Sequence, residues 1–244
     1  MVSGLLLSAH QGESFHDTCM YRGAVGALQY ATLTHPEKSY SVNKACQFMH
    51  SPKLTHWQLV KHILRYLKGA LSHGLRLKHS NNLSLVGFVD VDWASDLVDR
   101  KSSSGFCVYF DNNLVSWGSK KQSIIFRSSI AVEYRCLALL AIELVWIYSL
   151  LFDLCINIPR SPFLWCDNLS AVHLSENPIL HSKIKHVELD MYFVRDLIQK
   201  KKIIVRYLST SEQITNVRTK PTYATNFQKL NNKLTIVDST IIGL

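Results

Sequence analysis

The 244-residue sequence has six cysteines, but it lacks a Cys-x-x-Cys pair and any Cys/His cluster with the spacing of a zinc site. Structural zinc domains depend on such spacings, and the same pattern does not favour a disulfide framework. Several of the cysteines lie inside apolar segments, where a thiol behaves as a small hydrophobic group. The pattern predicts reduced cysteines in an intracellular protein, either cytoplasmic or nuclear.

Signals for export and membrane insertion are also missing. The apolar stretch Gly4–Ala9 has no basic flank and is shorter than the core of a signal peptide. The longest mainly apolar run, Leu144–Phe152, is well below the ~20 residues that a membrane span requires. The sequence therefore predicts no signal peptide, no transmembrane segment and no membrane partner.

Acidic residues are scarce relative to basic ones, with 18 Asp and Glu against 27 Lys and Arg, a formal net charge of +9. This excess favours a polyanionic partner without identifying it, because many soluble proteins are basic. Hydrophobic residues make up 47% of the chain, which is enough for a packed core. The length fits one large domain, or one ordinary domain with an appendage.

Apolar periodicity divides the chain near Asn81 into a helical segment, residues 1–81, and a mixed region, residues 82–244. The predicted elements are helices at Tyr21–Tyr30, Ser41–Met49 and His56–Gly69, strands at Leu83–Trp93, Gly105–Phe110 and Leu114–Gly118, a helix from Ser128 or Ser129 to Leu154, a strand at Phe163–Cys166, helices from Ser170 and at Val187–Gln199, a strand at Ile203–Leu208 and a helix at Glu212–Lys233. The order βββαβααβα predicts an α/β fold with a mixed five-stranded sheet flanked by helices. It resembles the order of a ribonuclease H fold.

Three acidic residues occupy positions where a carboxylate is unusual. Asp90 lies inside the apolar run Leu85–Trp93, Glu133 lies on the buried stripe of the long helix, and Asp167 ends a strand. Taken singly, each also fits an ordinary role: a solvent-facing edge acid, an acid near a helix dipole, or the start of a turn. Because all three fall on central elements that should adjoin, their joint explanation is a carboxylate cluster.

Carboxylate oxygens are suited to hard divalent ions such as Mg²⁺ or Mn²⁺. Two such ions about 4 Å apart can activate a water and stabilise the leaving oxygen of a phosphodiester. The sequence therefore predicts a metal-dependent nuclease, with Asp90, Glu133 and Asp167 as metal ligands.

Many blocks of this sequence resemble the ribonuclease H domain of Ty1/copia-type retrotransposon polyproteins. They are Gly87-Phe-Val-Asp-Val-Asp-Trp-Ala-Ser-Asp, Arg100-Lys-Ser-Ser-Ser-Gly-Phe, Val115-Ser-Trp-Gly-Ser-Lys-Lys-Gln, Arg127-Ser-Ser, Glu133-Tyr-Arg, Cys166-Asp-Asn and Lys185-His-Val-Glu. Upstream, Tyr40-Ser-Val-Asn, Met49-His-Ser-Pro and Arg65-Tyr-Leu-Lys-Gly resemble the segment that joins reverse transcriptase to ribonuclease H in the same polyproteins. The resemblance covers roughly residues 17–237 and identifies the first 81 residues as the end of the reverse transcriptase region.

The resemblance implies endonucleolytic cleavage of RNA in an RNA–DNA hybrid, with Mg²⁺ or Mn²⁺ as cofactor. The fourth acid of the family corresponds to Asn216, which brings an amide oxygen without a negative charge. Ala131 stands where the family often has Glu. Arg218 stands where an apolar residue is usual, so we expect it either to be exposed at the surface or to disturb the packing of the last helix. No Tyr-x-Asp-Asp polymerase motif occurs, which leaves the missing reverse transcriptase region as a second partner besides the hybrid.

Phosphates attract cations, and hybrids are recognised largely through the backbone and 2′-hydroxyls. The candidate nucleic-acid contacts are Lys120, Lys121, Arg127, Ser128, Asn168, Lys185 and His186, each of which also fits a solvated, capping or turn role. His186 is also a candidate for proton transfer. The aromatic residues Tyr134, Trp93, Trp117 and Trp165 are expected in the core.

Two alternatives to an active nuclease remain. An impaired or inactive remnant would fold and at most bind nucleic acid, and Asn216 is the feature that favours it. An integrase or transposase uses the same general fold and carboxylates, but the strand order and the upstream resemblance argue against it.

Overall fold

The structure is a computed structural model that describes residues 7–8, 11–80, 82–96, 99–126, 128–176, 187–220 and 224–238. The elements in these residues are α1 (Thr18–Ala31), a 3₁₀ turn (Pro36–Lys38), α2 (Ser39–Cys46), α3 (Leu54–Gly69), β1 (His73–Leu75), β2 (Leu85–Asp92), β3 (Ser103–Phe110), β4 (Asn113–Lys121), α4 (Ser129–Asp153), β5 (Phe163–Cys166), α5 (Leu169–Glu176), α6 (Glu188–Gln199), β6 (Ile204–Tyr207), α7 (Asn216–Thr219), α8 (Ala224–Lys233) and β7 (Ile236–Asp238). The predicted boundary at Asn81 lies outside the described residues and stays a prediction.

A five-stranded sheet in the order β4-β3-β2-β5-β6 forms the centre of the molecule. The strands β2, β3 and β4 pair antiparallel as a meander, while β5 and β6 add in parallel next to β2. The mixed sheet predicted from the sequence is confirmed. In its antiparallel part a short turn, residues 111–112, joins β3 to β4, and a longer connection, residues 93–102, joins β2 to β3. Its parallel part needs the helical crossovers α4 and α5–α6.

The long helix α4 packs directly on β2, and the absence of a side chain at Gly87 permits the close approach. A Cβ atom at Gly87 would lie 2.8 Å from Cδ1 of Leu140 and 3.0 Å from Cδ1 of Leu144. Both leucines are fully buried in the core that α4 forms with the sheet. The helix thus packs on the centre strand, and Glu133 in its second turn lies near the carboxyl end of that strand.

The predicted single helix Glu212–Lys233 is wrong, because the structure has two helices, α7 and α8. Lys220 ends α7 in an extended conformation, with φ −141° and ψ 156°. Pro221 follows in the sequence, and a residue before proline is disfavoured in the helical region. The short helix α7 can therefore turn its side chains toward the sheet independently of α8.

A second, two-stranded sheet was not predicted from the sequence. The strand β1 pairs antiparallel with β7, with Gly74 opposite Val237. Each strand is three residues long, too short for an alternation pattern to show. The pairing joins the end of the helical segment to the far end of the described chain.

The first helices pack on edge strand β4. Asn43 in α2 donates a hydrogen bond to the carbonyl of Ser119 in β4 at 2.8 Å. Trp117 Nε1 in β4 donates to the carbonyl of Thr32 at 3.1 Å. The ammonium of Lys44 lies 2.7 Å from Asp96 Oδ2. The helical segment is therefore fixed to edge strand β4 by directional contacts, which apolar periodicity does not reveal.

Arg218 in α7 is fully buried, so of its two expected settings the surface is excluded. Its Nε donates to Cys107 Sγ at 2.9 Å, and its Nη1 donates to the carbonyl of Pro36 at 3.1 Å and to Ser39 Oγ at 3.3 Å. Its Nη2 has no hydrogen-bond partner among the described residues. The side chain thus connects α7 with both β3 and the helical segment.

Among the described helices, α4 is the one long and apolar enough to cross a membrane, with a mean hydropathy of 1.9. The sequence prediction treated Leu144–Phe152 as too short, and the structure joins that run to a helix of 25 residues. One face of α4 is buried on the sheet, as in the core helix of a globular domain.

Candidate active site

Asp90 lies near the carboxyl end of the centre strand β2 and is 2% exposed. Burial raises the pKa of its carboxyl to about 6, and a hydrogen bond from Thr219 Oγ1 partly opposes the shift. The charge of Asp167 raises the same pKa further. Asp90 is thus a buried carboxyl group that accepts a hydrogen bond from the hydroxyl of Thr219 in α7.

Glu133 lies in the second turn of α4 and is 8% exposed. Burial, followed by the negative charges of Asp167 and Asp90, raises the pKa of its carboxyl to about 9. Its Oε2 is buried without a hydrogen-bond partner among the described residues. An unpartnered carboxyl oxygen is costly to bury. A cation bound to this oxygen would offset the cost of its burial.

Asp167 directly follows β5, at the edge of the sheet where β2 also ends. Val89 and Cys166 pair in the parallel register of these strands, so Asp90 and Asp167, the next residues, lie side by side. Thr210 Oγ1 donates a hydrogen bond to Asp167 Oδ2 at 3.1 Å. The charge of Asp167 raises the pKa of Asp90, and the charges of Asp167 and Asp90 raise the pKa of Glu133, so the three predicted carboxylates lie close together.

Cys166 is a member of the cluster that the sequence analysis did not single out. One ligand atom from each of Glu133, Cys166 and Asp167 lies within 4.8 Å of the others. Burial, and next the charge of Glu133, raise the pKa of the Cys166 thiol well above its ordinary value. A neutral thiol is a poor ligand for a hard cation. The oxygen atoms of the acids therefore define the chemistry of the site.

Asn216 begins α7 and connects to the cluster through Thr210. Its Nδ2 donates a hydrogen bond to the carbonyl of Thr210 at 3.0 Å, and the hydroxyl of Thr210 binds Asp167. Its Oδ1 is buried without a partner among the residues that the structure describes. An unpaired amide oxygen at this position has the chemistry of a neutral metal ligand.

Thr219 reaches Asp90 because α7 packs tightly against β3. A Cβ atom at Gly105 would lie 2.8 Å from Cγ2 of Thr219 and 3.0 Å from Cβ of Arg218. Glycine at this position therefore sets the distance between α7 and the sheet. Thr219 was missed by the sequence analysis, since a threonine in a short helix carries no signal of its own.

Lys220 was also missed. Its positive charge lowers the pKa values of Asp90, Asp92 and Glu133. The ammonium group therefore lies near the cluster, and it partly neutralises the acids there.

Comparison of amino-acid sequences shows which proteins this chain resembles. It is 41% identical over 237 residues, 97% of its length, to the retrovirus-related Pol polyprotein from transposon RE2 of Arabidopsis thaliana, and 43% identical over 228 residues, 93% of its length, to that from transposon RE1. The chain belongs to the Pol polyproteins of copia-type retrotransposons. A Pol polyprotein from transposon TNT 1-94 of Nicotiana tabacum is 32% identical over 201 residues.

The Pol chain spans 16% of the length of each of the two Arabidopsis relatives. No protein-family model matches it. Similar solved structures include the N-terminal RNase H domain of a Mycobacterium tuberculosis protein, with a TM-score of 0.41 and 11% identity over 62% of this chain and 97% of that one. The RNase H1 of Halobacterium salinarum aligns with 56% of this chain and 91% of its own, with a TM-score of 0.39 and 12% identity. The element order and the mixed five-stranded sheet of this chain are themselves those of the ribonuclease H-like fold predicted from the sequence.

Four of the seven predicted nucleic-acid contacts lie within the described residues. Lys120 is exposed at the end of β4, whereas the ammonium of Lys121 lies 2.8 Å from Asp96 and 2.9 Å from Asp99. Ser128 precedes α4 without a side-chain cap, and Asn168 Oδ1 accepts a hydrogen bond from the amide of Ala171 at 3.0 Å, which is a capping role. The other three candidates, Arg127, Lys185 and His186, lie outside the described residues.

Trp93 contradicts the expectation that it lies in the core, because it is 50% exposed. Its Nε1 lies 3.4 Å from the carbonyl of Phe126, just before α4. Tyr134, by contrast, is fully buried as expected. Trp93 follows Asp92 at the end of β2, so an exposed indole stands at the same edge of the sheet as the acids.

Proposed function

We propose that this Pol chain is a metal-dependent endonuclease that cleaves the RNA strand of RNA–DNA hybrids. In this proposal residues 82–244 are the ribonuclease H domain, and residues 1–81 are the end of a reverse transcriptase region. The observation that supports it most directly is the convergence of three acids at one edge of the sheet, with Asp90 and Glu133 buried and Asp167 half-buried.

The residues at this edge fit a hard divalent ion. Asp90, Glu133 and Asp167 would hold Mg²⁺ or Mn²⁺ through carboxylate oxygens, with Asn216 offering a neutral oxygen. Both Glu133 Oε2 and Asn216 Oδ1 are buried and unpartnered among the described residues. When bound, a pair of such ions would activate a water and stabilise the leaving oxygen of a phosphodiester.

The chain's own residues position this ligand set. Thr219 holds the carboxyl of Asp90, and Thr210 holds that of Asp167 while its carbonyl holds Asn216. Hydrogen bonds to metal-binding side chains fix their orientation. Since burial keeps the pKa of Glu133 near 9, a bound cation is needed to make it a carboxylate at neutral pH.

The proposed substrate is a hybrid because the chain is basic and belongs to a Pol family. Lys120, Arg127, Lys185 and His186 would contact phosphates, while Ser128 and Asn168 would contact sugar or phosphate. Lys121 contributes less charge in this proposal, since two carboxylates already neutralise it. The compartment would be the cytoplasm or nucleus, and the reverse transcriptase region of a longer Pol protein would be the natural partner.

A second function, binding of nucleic acid without cleavage, is supported by two observations. Asn216 replaces a negative charge in the ligand set, and Lys220 places a positive charge near it. Both features lower the attraction of the site for a divalent cation. A chain with this site would retain its basic surface while losing catalysis.

The deciding experiment incubates the purified chain with a labelled RNA–DNA hybrid and Mg²⁺ or Mn²⁺. The matched control is Asp90→Asn, which keeps the size of the side chain and removes its charge. Metal-dependent cleavage above this control supports the nuclease. No cleavage above it, together with salt-sensitive binding of the hybrid, would overturn the nuclease in favour of the binding protein.

A further inference from the structure

The outer face of α4 is apolar and exposed. Leu139, Ile142, Trp146 and Leu150 are 43%, 51%, 58% and 43% exposed, while residues on the inner face are buried on the sheet. Ile142, Trp146 and Leu150 follow one another at intervals of four, so they form one ridge along the helix. We call these four residues the α4 ridge. Neither the acidic cluster nor the packing of the sheet uses it.

A groove of 460 Å³ lies beside the α4 ridge. Besides residues of the ridge, its lining includes Ile147 and Leu151 from the next row of α4, and Phe110 and Val115 from the neighbouring strands. Val115 is itself 43% exposed. The surface therefore offers both halves of a ridge-into-groove contact between helices.

The charge of this surface narrows the choice of partner. The described residues of the ridge and groove include no Lys or Arg, and their charged member is Glu143, which accepts a hydrogen bond from Ser116 Oγ at 2.6 Å. The chain as a whole carries +9. A surface without cations on a basic protein does not favour nucleic acid or anionic lipid. It favours an apolar protein surface.

We propose that the α4 ridge joins two copies of this chain in a symmetric dimer. Trp146 lies midway between Ile142 and Leu150, so the ridge matches itself when the two helices approach antiparallel. Ile142 then faces the partner's Leu150, and each Trp146 enters the groove of the other copy. Rows of residues spaced by four interdigitate at about −50° in the commonest class of helix packing.

The exposed area supplies more than half of what a standard dimer interface needs. The exposed parts of the ridge and Val115 amount to roughly 500 Å² per copy, more than half of the about 800 Å² that each partner buries in a standard interface. Partly buried residues of the groove supply further contact. Glu133 lies 13 residues before Trp146, about 20 Å along the helix, so both acidic clusters stay open in the dimer.

The experiment measures the mass of the full chain in solution by sedimentation across a concentration series. The wild type is expected to form dimers at micromolar concentration, and Trp146→Glu is expected to weaken association at least 100-fold. Phe152→Glu is the matched control, because Phe152 is 74% exposed on the same helix but outside the ridge. It should leave the dimer intact.

A cross-link tests the antiparallel register. In a background with the exposed Cys19 and Cys155 replaced by Ser, the pair Ile142→Cys and Leu150→Cys should give a covalent dimer on oxidation, and Leu139→Cys alone much less. A wild type that is monomeric at 100 µM would overturn the proposal. Dimers that survive Trp146→Glu, or ridge-dependent binding to lipid vesicles instead of self-association, would overturn it as well.

Discussion

Arg218 Nη1 donates a hydrogen bond to the carbonyl of Pro36 at 3.1 Å, and this contact joins α7 to the helical segment. The next residue, Thr219, holds Asp90. The residue that anchors the helical segment, Arg218, and the residue that holds a candidate metal ligand, Thr219, are therefore neighbours on α7. Changes at this junction should affect both stability and the site.

Replacing Asn216 by Asp should strengthen metal binding. The change adds a negative charge where Oδ1 of Asn216 is buried without a partner among the described residues, and ligand charge raises the affinity for hard cations. We expect the Mg²⁺ concentration for half-maximal hybrid cleavage to fall roughly tenfold. Calorimetric titration with Mn²⁺ checks binding separately from catalysis.

Asn157→Asp is the matched control for this change, since Asn157 is exposed in the connection after α4. An equal gain in the control would mean that general charge, and not a ligand at position 216, causes the effect.

The stability of the metal-free chain should fall as the pH rises. Burial raises the pKa of Glu133 to about 9 from an ordinary value of 4.5. Because the folded-state pKa is the higher one, this stability is fully present below pH 4.5 and is lost as the pH rises toward 9. Glu133→Gln should flatten the profile and, at pH 9 in EDTA, stabilise the chain by roughly 2 kcal/mol.

Urea unfolding at pH 5, 7 and 9 measures this dependence. Asp90 contributes in the same direction over a narrower range, from 3.8 to about 6. A Gln variant with the wild-type slope between pH 6 and pH 9 would show that Glu133 does not titrate there.

Replacing Arg218 by Met should leave the chain as stable or make it more stable by about 1 kcal/mol. The guanidinium is fully buried, its Nη2 is unpartnered, and no carboxylate lies within ion-pair distance among the described residues. Arg218→Ala should instead cost about 3 kcal/mol, because it leaves a cavity. Urea unfolding of both variants checks the order, and an equal loss in both would show that the hydrogen bonds outweigh the burial of charge.

Adding a methyl group at Gly105 should displace α7. Its Cβ would lie 2.8 Å from Thr219 Cγ2, so Gly105→Ala should destabilise the chain by about 2 kcal/mol and weaken Mn²⁺ binding. Gly26→Ala is the control, since nothing lies within 4 Å of that Cβ in α1, and it should stabilise by about 0.5–1 kcal/mol. Unchanged Mn²⁺ affinity in Gly105→Ala would show that the position of α7 does not affect metal binding.

Local sequence patterns were enough to predict most of the helices and strands and the three candidate acids. Alternation in β2, the apolar stripe of α4 and the turn at Asp111 are local patterns, so strand order, sheet type and the meeting of Asp90, Glu133 and Asp167 could be predicted from them. The bounds of β5 were predicted to the residue. Local patterns were enough because backbone hydrogen bonding and side-chain alternation act over a few neighbouring residues.

The tertiary structure alone decided the rest. The buried setting of Arg218, the Thr219 contact to Asp90 and the pairing of β1 with β7 join residues that are far apart in the chain, with Arg218 and Pro36 separated by 182 positions. The same holds for the α4 ridge, whose exposure depends on which face the sheet covers. A linear pattern shows that a helix is apolar on several sides, and only packing determines which side stays uncovered.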